Sequence, residues 1–226
     1  MTRVVAFRPE PGLSRTIAAG QEAGIEIAGA PLGEVAAVPW DAPPAREYDG
    51  LLVGSANVFR HGGRALQGLR ALPVHCVGEA TAEAARAEGF SVARTGEGGL
   101  QTVLDGLTGK DIRLLRLSGS ERVNLSPTAK VEVDEIAVYE VRPLPLDMIV
   151  AQGLPGSIAL LHSAATARHL AQECDRLGID RAAATVAALG PRIAAAAGPG
   201  WAAIHSAERP NDAHLLALVS QICKTA

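Results

Sequence analysis

Val74-His75-Cys76-Val77-Gly78-Glu79-Ala80-Thr81-Ala82 decides how the chain reads: a β-rich run stops at a glycine, and a helix-forming run of Ala, Glu and Arg follows at once through Glu88. A strand–glycine–helix corner leaves free backbone N–H groups at the helix start, and these favour anions. Thr81 reads as the helix N-cap, its hydroxyl available to the backbone or to a ligand. An ordinary βα turn with a capping threonine has the same sequence. The corner recurs, however. Thr185-Val186-Ala187-Ala188-Leu189-Gly190-Pro191 is again β-rich, ends in glycine and opens an alanine helix through Ala197. Leu51-Leu52-Val53-Gly54-Ser55-Ala56 precedes the first corner and Ala159-Leu160-Leu161-His162-Ser163-Ala164 the second, 23 positions from Ser55 to Gly78 and 27 from Ser163 to Gly190. A weak repeat of about one hundred residues is too long for a solenoid unit and implies two similar α/β lobes.

Composition narrows the class. The 226 residues are 48% hydrophobic, 20% charged and 3% aromatic, as in a globular protein able to bury a sizeable core. No apolar run approaches the ~18 residues needed to span a bilayer, and the start of the chain reads as a strand and not as a signal peptide. No membrane association is therefore expected. Cys76, Cys174 and Cys223 are odd in number and widely spaced, which suits a reducing cytoplasm and gives neither a disulfide framework nor a metal spacing. The net charge of −3 does not point to nucleic acid.

In chain order, a buried strand over 3–7 is followed by a helix over 13–23, Gly24 as its C-cap and a strand over 25–27. Residues 29–40 are extended and punctuated by proline, and read as a connection to a separate lobe over 48–130. In that lobe strands over 50–53, 74–77, 91–93 and 112–117 alternate with helices, the first of them running through Arg70 and weakened by Gly62-Gly63. The long extended run Val131-Glu132-Val133-Asp134-Glu135-Ile136-Ala137-Val138-Tyr139-Glu140-Val141-Arg142-Pro143 reads as a return crossing, outside any compact βαβ unit and antiparallel to the first connection. Residues 147–226 alternate again and rejoin 1–28 in one discontinuous lobe. The expected architecture is α/β: two parallel sheets flanked by helices, joined by antiparallel linker strands over 29–47 and 131–146.

Few residues carry chemistry. The six histidines show no metal-ligand spacing, and no Walker loop, G-x-G-x-x-G or G-x-S-x-G motif is present. Ser55 and Ser163 stand at strand ends, where open α/β sheets place ligands, and each reads equally as a cap or a ligand contact. His162 could donate a proton or pair with an anion, or be a solvated histidine without a role. Arg8 and Arg192 each follow a strand and suit an acidic ligand, or are ordinary surface arginines. Arg113, Arg116 and Arg122 border the cleft or form a solvated face. Tyr139, in the crossing, could protonate a leaving hydroxyl or pack across a β-ladder.

The order of motifs resembles the uroporphyrinogen-III synthase family: Arg8-Pro9 after the first strand, Gly54-Ser55-Ala56-Asn57, Val77-Gly78-Glu79-Ala80-Thr81-Ala82, Asp134-Glu135-Ile136-Ala137-Val138-Tyr139, His162-Ser163-Ala164 and Leu189-Gly190-Pro191. The resemblance spans nearly the whole chain and implies the same two-lobe fold. It departs from the family at Phe7 before Arg8-Pro9, at Arg192-Ile193, at His162, and in a short 126–130 segment where a helix is usual. It implies an enzyme, a hydro-lyase that closes hydroxymethylbilane, a linear tetrapyrrole with eight carboxylates, through a spiro intermediate that inverts the terminal ring. Positioning is then the larger task, with proton transfer assisting. Tyr139 would be catalytic. Arg8, Ser55, Ala56, Gly78, Thr81, Ser118, Gly119, His162, Ser163, Ala164, Gly190 and Arg192 would bind substrate, with no metal or organic cofactor. The chain would act in the cytoplasm as a monomer on a small molecule. A two-lobe cytoplasmic module that binds a small polyanion without catalysis has the same outline.

Overall fold

Val4–Phe7 (β1) is apolar and buried at every position, as a strand covered on both faces must be. In the computed structural model, which describes residues 2–107 and 111–225, the later strands are β2 (Ile27–Gly29), β3 (Gly33–Ala37), β4 (Gly50–Val53), β5 (Val74–Val77), β6 (Val92–Gly96), β7 (Ile112–Gly119), β8 (Val131–Pro143), β9 (Ile158–Leu161), β10 (Thr185–Ala188) and β11 (Ala203–Ser206). The helices are α1 (Gly12–Glu22), α2 (Asn57–His61), α3 (Glu79–Ala87), α4 (Leu100–Asp105), α5 (Met148–Gln152), α6 (Ala164–Leu177), α7 (Pro191–Ala196) and α8 (Asp212–Thr225). Contacts divide the chain into two units, Met1–Glu34 with Arg142–Ala226, and Val35–Val141.

The sheet of the first unit is wholly parallel, in the order β2-β1-β9-β10-β11. Alternate side chains of its strands face opposite layers. Val5, Phe7, Ala159, Leu161, Val186 and Ala188 pack with α6 and α7. Val4, Ala6, Ile158, Leu160 and Ala187 pack with α1 and α8. Each fully buried large side chain among them contributes about 1.5–3 kcal/mol. Strand order reverses between β1 and β9, and in doubly wound sheets the crevice beyond the carboxyl ends at such a point receives ligands.

In the second unit the order is β3-β8-β7-β4-β5-β6, and the reversal falls between β4 and β7. Leu51, Val53, Val74, Cys76, Leu115, Leu117 and Val138 pack on one side with α2 and α3, while Leu52 and Leu114 meet α4 on the other. The segment through Arg70 is not one helix: α2 ends at His61 and a 3-10 turn, Gly63–Leu69, follows, because Gly63 has φ +64° and breaks the helical run.

β8 also differs from the sequence reading. It pairs in parallel with β7 from Ile112↔Val131 to Gly119↔Tyr139, so most of it belongs to the sheet of the second unit. Its far end pairs with β3, and the bonds Val38 N to Val138 O and Leu144 N to Leu32 O give that ladder an antiparallel register. The β7–β8 crossover carries no helix over residues 120–130. Leu125 covers the sheet instead, and Gln101 bonds both backbone groups of Ser126. Asp134 and Glu135 hold the arginines of β7 and its loop: Arg113 to Asp134 at 2.8 Å, Arg116 to Glu135 at 2.6 Å and Arg122 to Glu135 at 2.5 Å. All three arginines are ion-paired; Arg113 and Arg122 stay exposed, as on a solvated face, while Arg116 is buried.

Glu173 on α6 ties down the segment after β8. It accepts the Leu146 N–H at 2.7 Å and a two-pronged contact from Arg176 at 2.8 and 2.6 Å. Arg176 above all, with the Leu146 amide, outweighs burial and depresses the carboxyl to about 2. A depressed carboxylate stabilises the fold above its unfolded pKa, about 4.3, and that contribution is lost as pH falls toward 2. Urea titrations of Glu173→Gln are therefore expected to show lower stability at neutral pH and a shallower loss between pH 4.5 and 2 than the parent chain.

Candidate functional site

The β1/β9 reversal places Arg8 and His162 on adjacent strand ends, because Phe7 pairs with Leu161. Asp212, in the first turn of α8, reaches both. Its Oδ1 lies 3.0 Å from His162 Nε2, and its Oδ2 accepts from Arg8 Nη1 at 3.4 Å and Thr16 Oγ1 at 3.3 Å. Arg8 Nη1 also donates to Thr16 Oγ1 at 2.9 Å. Thr16 is fully buried on α1 and the His162 side chain is 6% exposed, whereas Arg8 retains 23%. Gly12 lets the guanidinium lie against the backbone: a Cβ there would come within 2.5–2.7 Å of Arg8 Nε, Nη2 and Cζ.

Charge sets the protonation states. Burial lowers the His162 pKa, and Arg8 adds to this against the pull of Asp212. Burial alone would raise the Asp212 carboxyl, but His162, Arg8 and Thr16 bring it below its ordinary value. At neutral pH the ring is therefore neutral with its proton on Nε2 toward Asp212, and Nδ1 keeps its lone pair. Nδ1 is buried and has no partner among the described residues.

Ser163 caps α6: its Oγ accepts from Thr166 N at 3.0 Å and donates to Thr166 Oγ1 at 2.8 Å. Ala164 is the first residue of that helix. Gly190 precedes α7 in extended conformation, with open space where a side chain would stand, and Arg192 is exposed on that helix.

At the β4/β7 reversal the second unit brings together Ser55 and Ala56 with Ser118 and Gly119, since Val53 pairs with Leu117. Ser55 Oγ accepts from Asn57 N at 3.2 Å, and Ser118 Oγ donates to Gly119 O at 3.1 Å. Gly119 and Tyr139 oppose one another at a register shift. A Cβ on Gly119 would fall 2.8–3.2 Å from Tyr139 Cε2, Cζ and Oη, so the phenol lies flat on the glycine. The His61 ring is 6.4 Å from that of Tyr139, tilted by 42°. Tyr139 thus sits within a sheet, paired beside β7, and not in a free crossing.

Gly78 ends β5 with φ +77° and open space around it, and it is itself the N-cap of α3. Thr81 is therefore not the cap. It is the third helical residue and only 5% exposed, because the helix begins directly after Gly78. Sequence reasoning missed Asp212, Thr16 and His61. Asp212 stood in an acid-poor stretch just before an apolar helix, Asn211-Asp212-Ala213-His214-Leu215-Leu216, where it reads as a helix-start residue only.

Among the described residues no cluster of His, Cys, Asp or Glu is arranged to hold a metal ion, and no helix is long and apolar enough to cross a membrane. The family model for uroporphyrinogen-III synthase HemD matches residues 14–217. The fold is similar to a uroporphyrinogen-III synthetase from Helicobacter pylori 26695, with TM-score 0.66 at 17% identity, covering 98% of this chain and 100% of that one. It is also similar to a mutant uroporphyrinogen III synthase from the extremely thermophilic bacterium Thermus thermophilus, with TM-score 0.51 at 15% identity, covering 99% and 100%. No curated protein sequence matches the chain.

The Ser163 hydroxyl is engaged in capping, so Ser163→Ala should lower unfolding stability by about 1 kcal/mol. Chemical denaturation reads this directly; an unchanged midpoint would free the hydroxyl for another role.

Proposed function

The chain belongs to the uroporphyrinogen-III synthase family, and from that premise we propose that it is a hydro-lyase converting hydroxymethylbilane to the isomer III macrocycle. The family match over residues 14–217 carries this reading. The strand-end arrangement in each unit supports it, since ligands of doubly wound sheets bind at such reversals. We infer further that it works in the cytoplasm as a monomer; its buried cysteines Cys76 and Cys174 are unpaired thiols, as a reducing compartment keeps them.

In this reading the substrate carboxylates are taken by Arg8, by the strand-end residues Ser55, Ala56, Gly78, Ser118, Gly119, His162, Ala164 and Gly190, and by Arg192. Ser163 contributes through the helix start it caps, where backbone N–H groups favour anions, and Thr81 from the buried first turn of α3. Tyr139 Oη donates a proton to the terminal hydroxyl as its C–O bond breaks and water departs. The electron-deficient methylene is attacked by the substituted carbon of the last ring, giving the spiro intermediate. That intermediate opens and recloses with the ring inverted, and the proton lost as aromaticity returns goes back to the phenolate. The substrate ionises readily on its own, so most of the protein's task is to hold the chain in the geometry that inverts the ring.

Incubating the protein with hydroxymethylbilane should give isomer III; isomer I alone would leave a binding module. Tyr139→Phe keeps the ring on Gly119 and removes only the proton. It should slow turnover about tenfold to a hundredfold, below the usual upper range for general acids, with isomer III still the main product. Full activity in the folded variant would return Tyr139 to a packing role.

A further inference from the structure

Arg8 is hydrogen-bonded through one amino group and packed against a glycine. Nη1 donates to Thr16 and Asp212, and the backbone of Gly12 lies beneath Nε, Nη2 and Cζ. Nε and Nη2 make no hydrogen bond to the described residues, and the side chain is partly exposed. The Nε–Nη2 edge carries two parallel N–H groups and is suited to grip a carboxylate side-on. Asp212 divides its two oxygens: Oδ1 serves His162, while Oδ2 serves the pair Arg8 and Thr16. Four side chains, two from α1 and α8 and two from just beyond β1 and β9, are thereby linked at the reversal.

We propose that Asp212 is a positioning residue for substrate binding, anchoring Arg8 with Thr16 through Nη1 so that the Nε–Nη2 edge receives a substrate carboxylate. The inference rests on the function proposed above and adds a residue that has no counterpart in the sequence reading. A carboxylate this close to an arginine could instead compete with substrate. Geometry argues otherwise, because Oδ2 approaches Nη1 and not the side-on edge, and Thr16 occupies the same amino group more closely. An amide is a poor replacement: it carries no charge to pair with Arg8, and it keeps its oxygen on the Arg8–Thr16 side only if His162 moves its proton to Nδ1 and accepts from the NH₂ through Nε2.

The test is steady-state kinetics with isomer analysis on Asp212→Asn, Thr16→Val, Arg8→Lys and the double variant Arg8→Lys/Asp212→Asn, with thermal unfolding as the folding control. Asp212→Asn is expected to raise KM about tenfold to a hundredfold, the scale of one charge-assisted bidentate contact, with kcat within about threefold. Lysine has no side-on edge, so Arg8→Lys should raise KM similarly, and adding Asp212→Asn should then change it by less than about threefold. Should Asp212→Asn fail to fold, Thr16→Val removes the other anchor of Nη1 and is expected to raise KM several-fold. A KM that is unchanged or lower in the folded single variants, or fully additive effects in the double variant, overturns the positioning role. A parent protein that gives no isomer III overturns the function itself, which keeps the two failures apart.

Discussion

A four-residue parallel ladder, Val4–Phe7 against Ile158–Leu161, is the interaction on which the rest depends. It joins segments about 150 residues apart, a closure whose entropic cost grows only slowly with loop length. Alternating burial on the two faces of its strands is what offsets that cost: Val5, Phe7, Ala159 and Leu161 belong to one core layer, and Val4, Ala6, Ile158 and Leu160 to the other. A slip of one residue would exchange every side chain between layers that are packed by different helices. The register is therefore fixed, and with it the adjacency of Arg8 and His162 just beyond the ladder's end. Unit Val35–Val141 becomes an insertion between the two halves of the other unit as a consequence.

The two sheets reach comparable strand-end geometry by different chemistry. At the β1/β9 reversal, charged and polar side chains converge on one carboxylate. At the β4/β7 reversal the residues are small, Ser55, Ala56, Ser118 and Gly119, and the largest side chain is a tyrosine laid on a glycine. Small residues bring backbone N–H groups close to whatever stands at the strand ends, whereas the other reversal presents a guanidinium edge. A chain with a net charge of −3 can thus offer an anion several donors without a broad basic surface.

Most strands were legible in the sequence because their signal is local. Gly50–Val53, Val74–Val77, Val131–Pro143 and Ile158–Leu161 begin and end where apolar runs and turn residues place them. What the sequence hid was pairing. Nothing in Val131–Pro143 by itself says that its first part lies parallel to Ile112–Gly119; the ion pairs Arg113–Asp134 and Arg116–Glu135 that accompany that register join arginines that read equally as a cleft border or a solvated face to acids that read only as part of a motif. Thr81 misled for a related reason. Gly78 at φ +77° starts the helix at once, so the threonine three positions on falls inside the first turn and is buried. Asp212 was invisible because its partners lie near residues 8, 16 and 162, and only the closed ladder gathers them.

The gathering also explains why an acid stands beside the arginine proposed to take an acidic ligand. A guanidinium held partly out of water without a partner would cost several kcal/mol, and the fold would gain by turning it outward. Asp212 removes that cost by contacting one amino group, while Thr16 and the bare backbone of Gly12 fix the plane of the fork. His162 completes the balance: neutral, it donates Nε2–H to the same carboxylate and adds no charge. The cluster is then close to electroneutral, and Nε and Nη2 of Arg8 make no hydrogen bond among the described residues, so a carboxylate bound there as proposed meets an arginine whose orientation is already set.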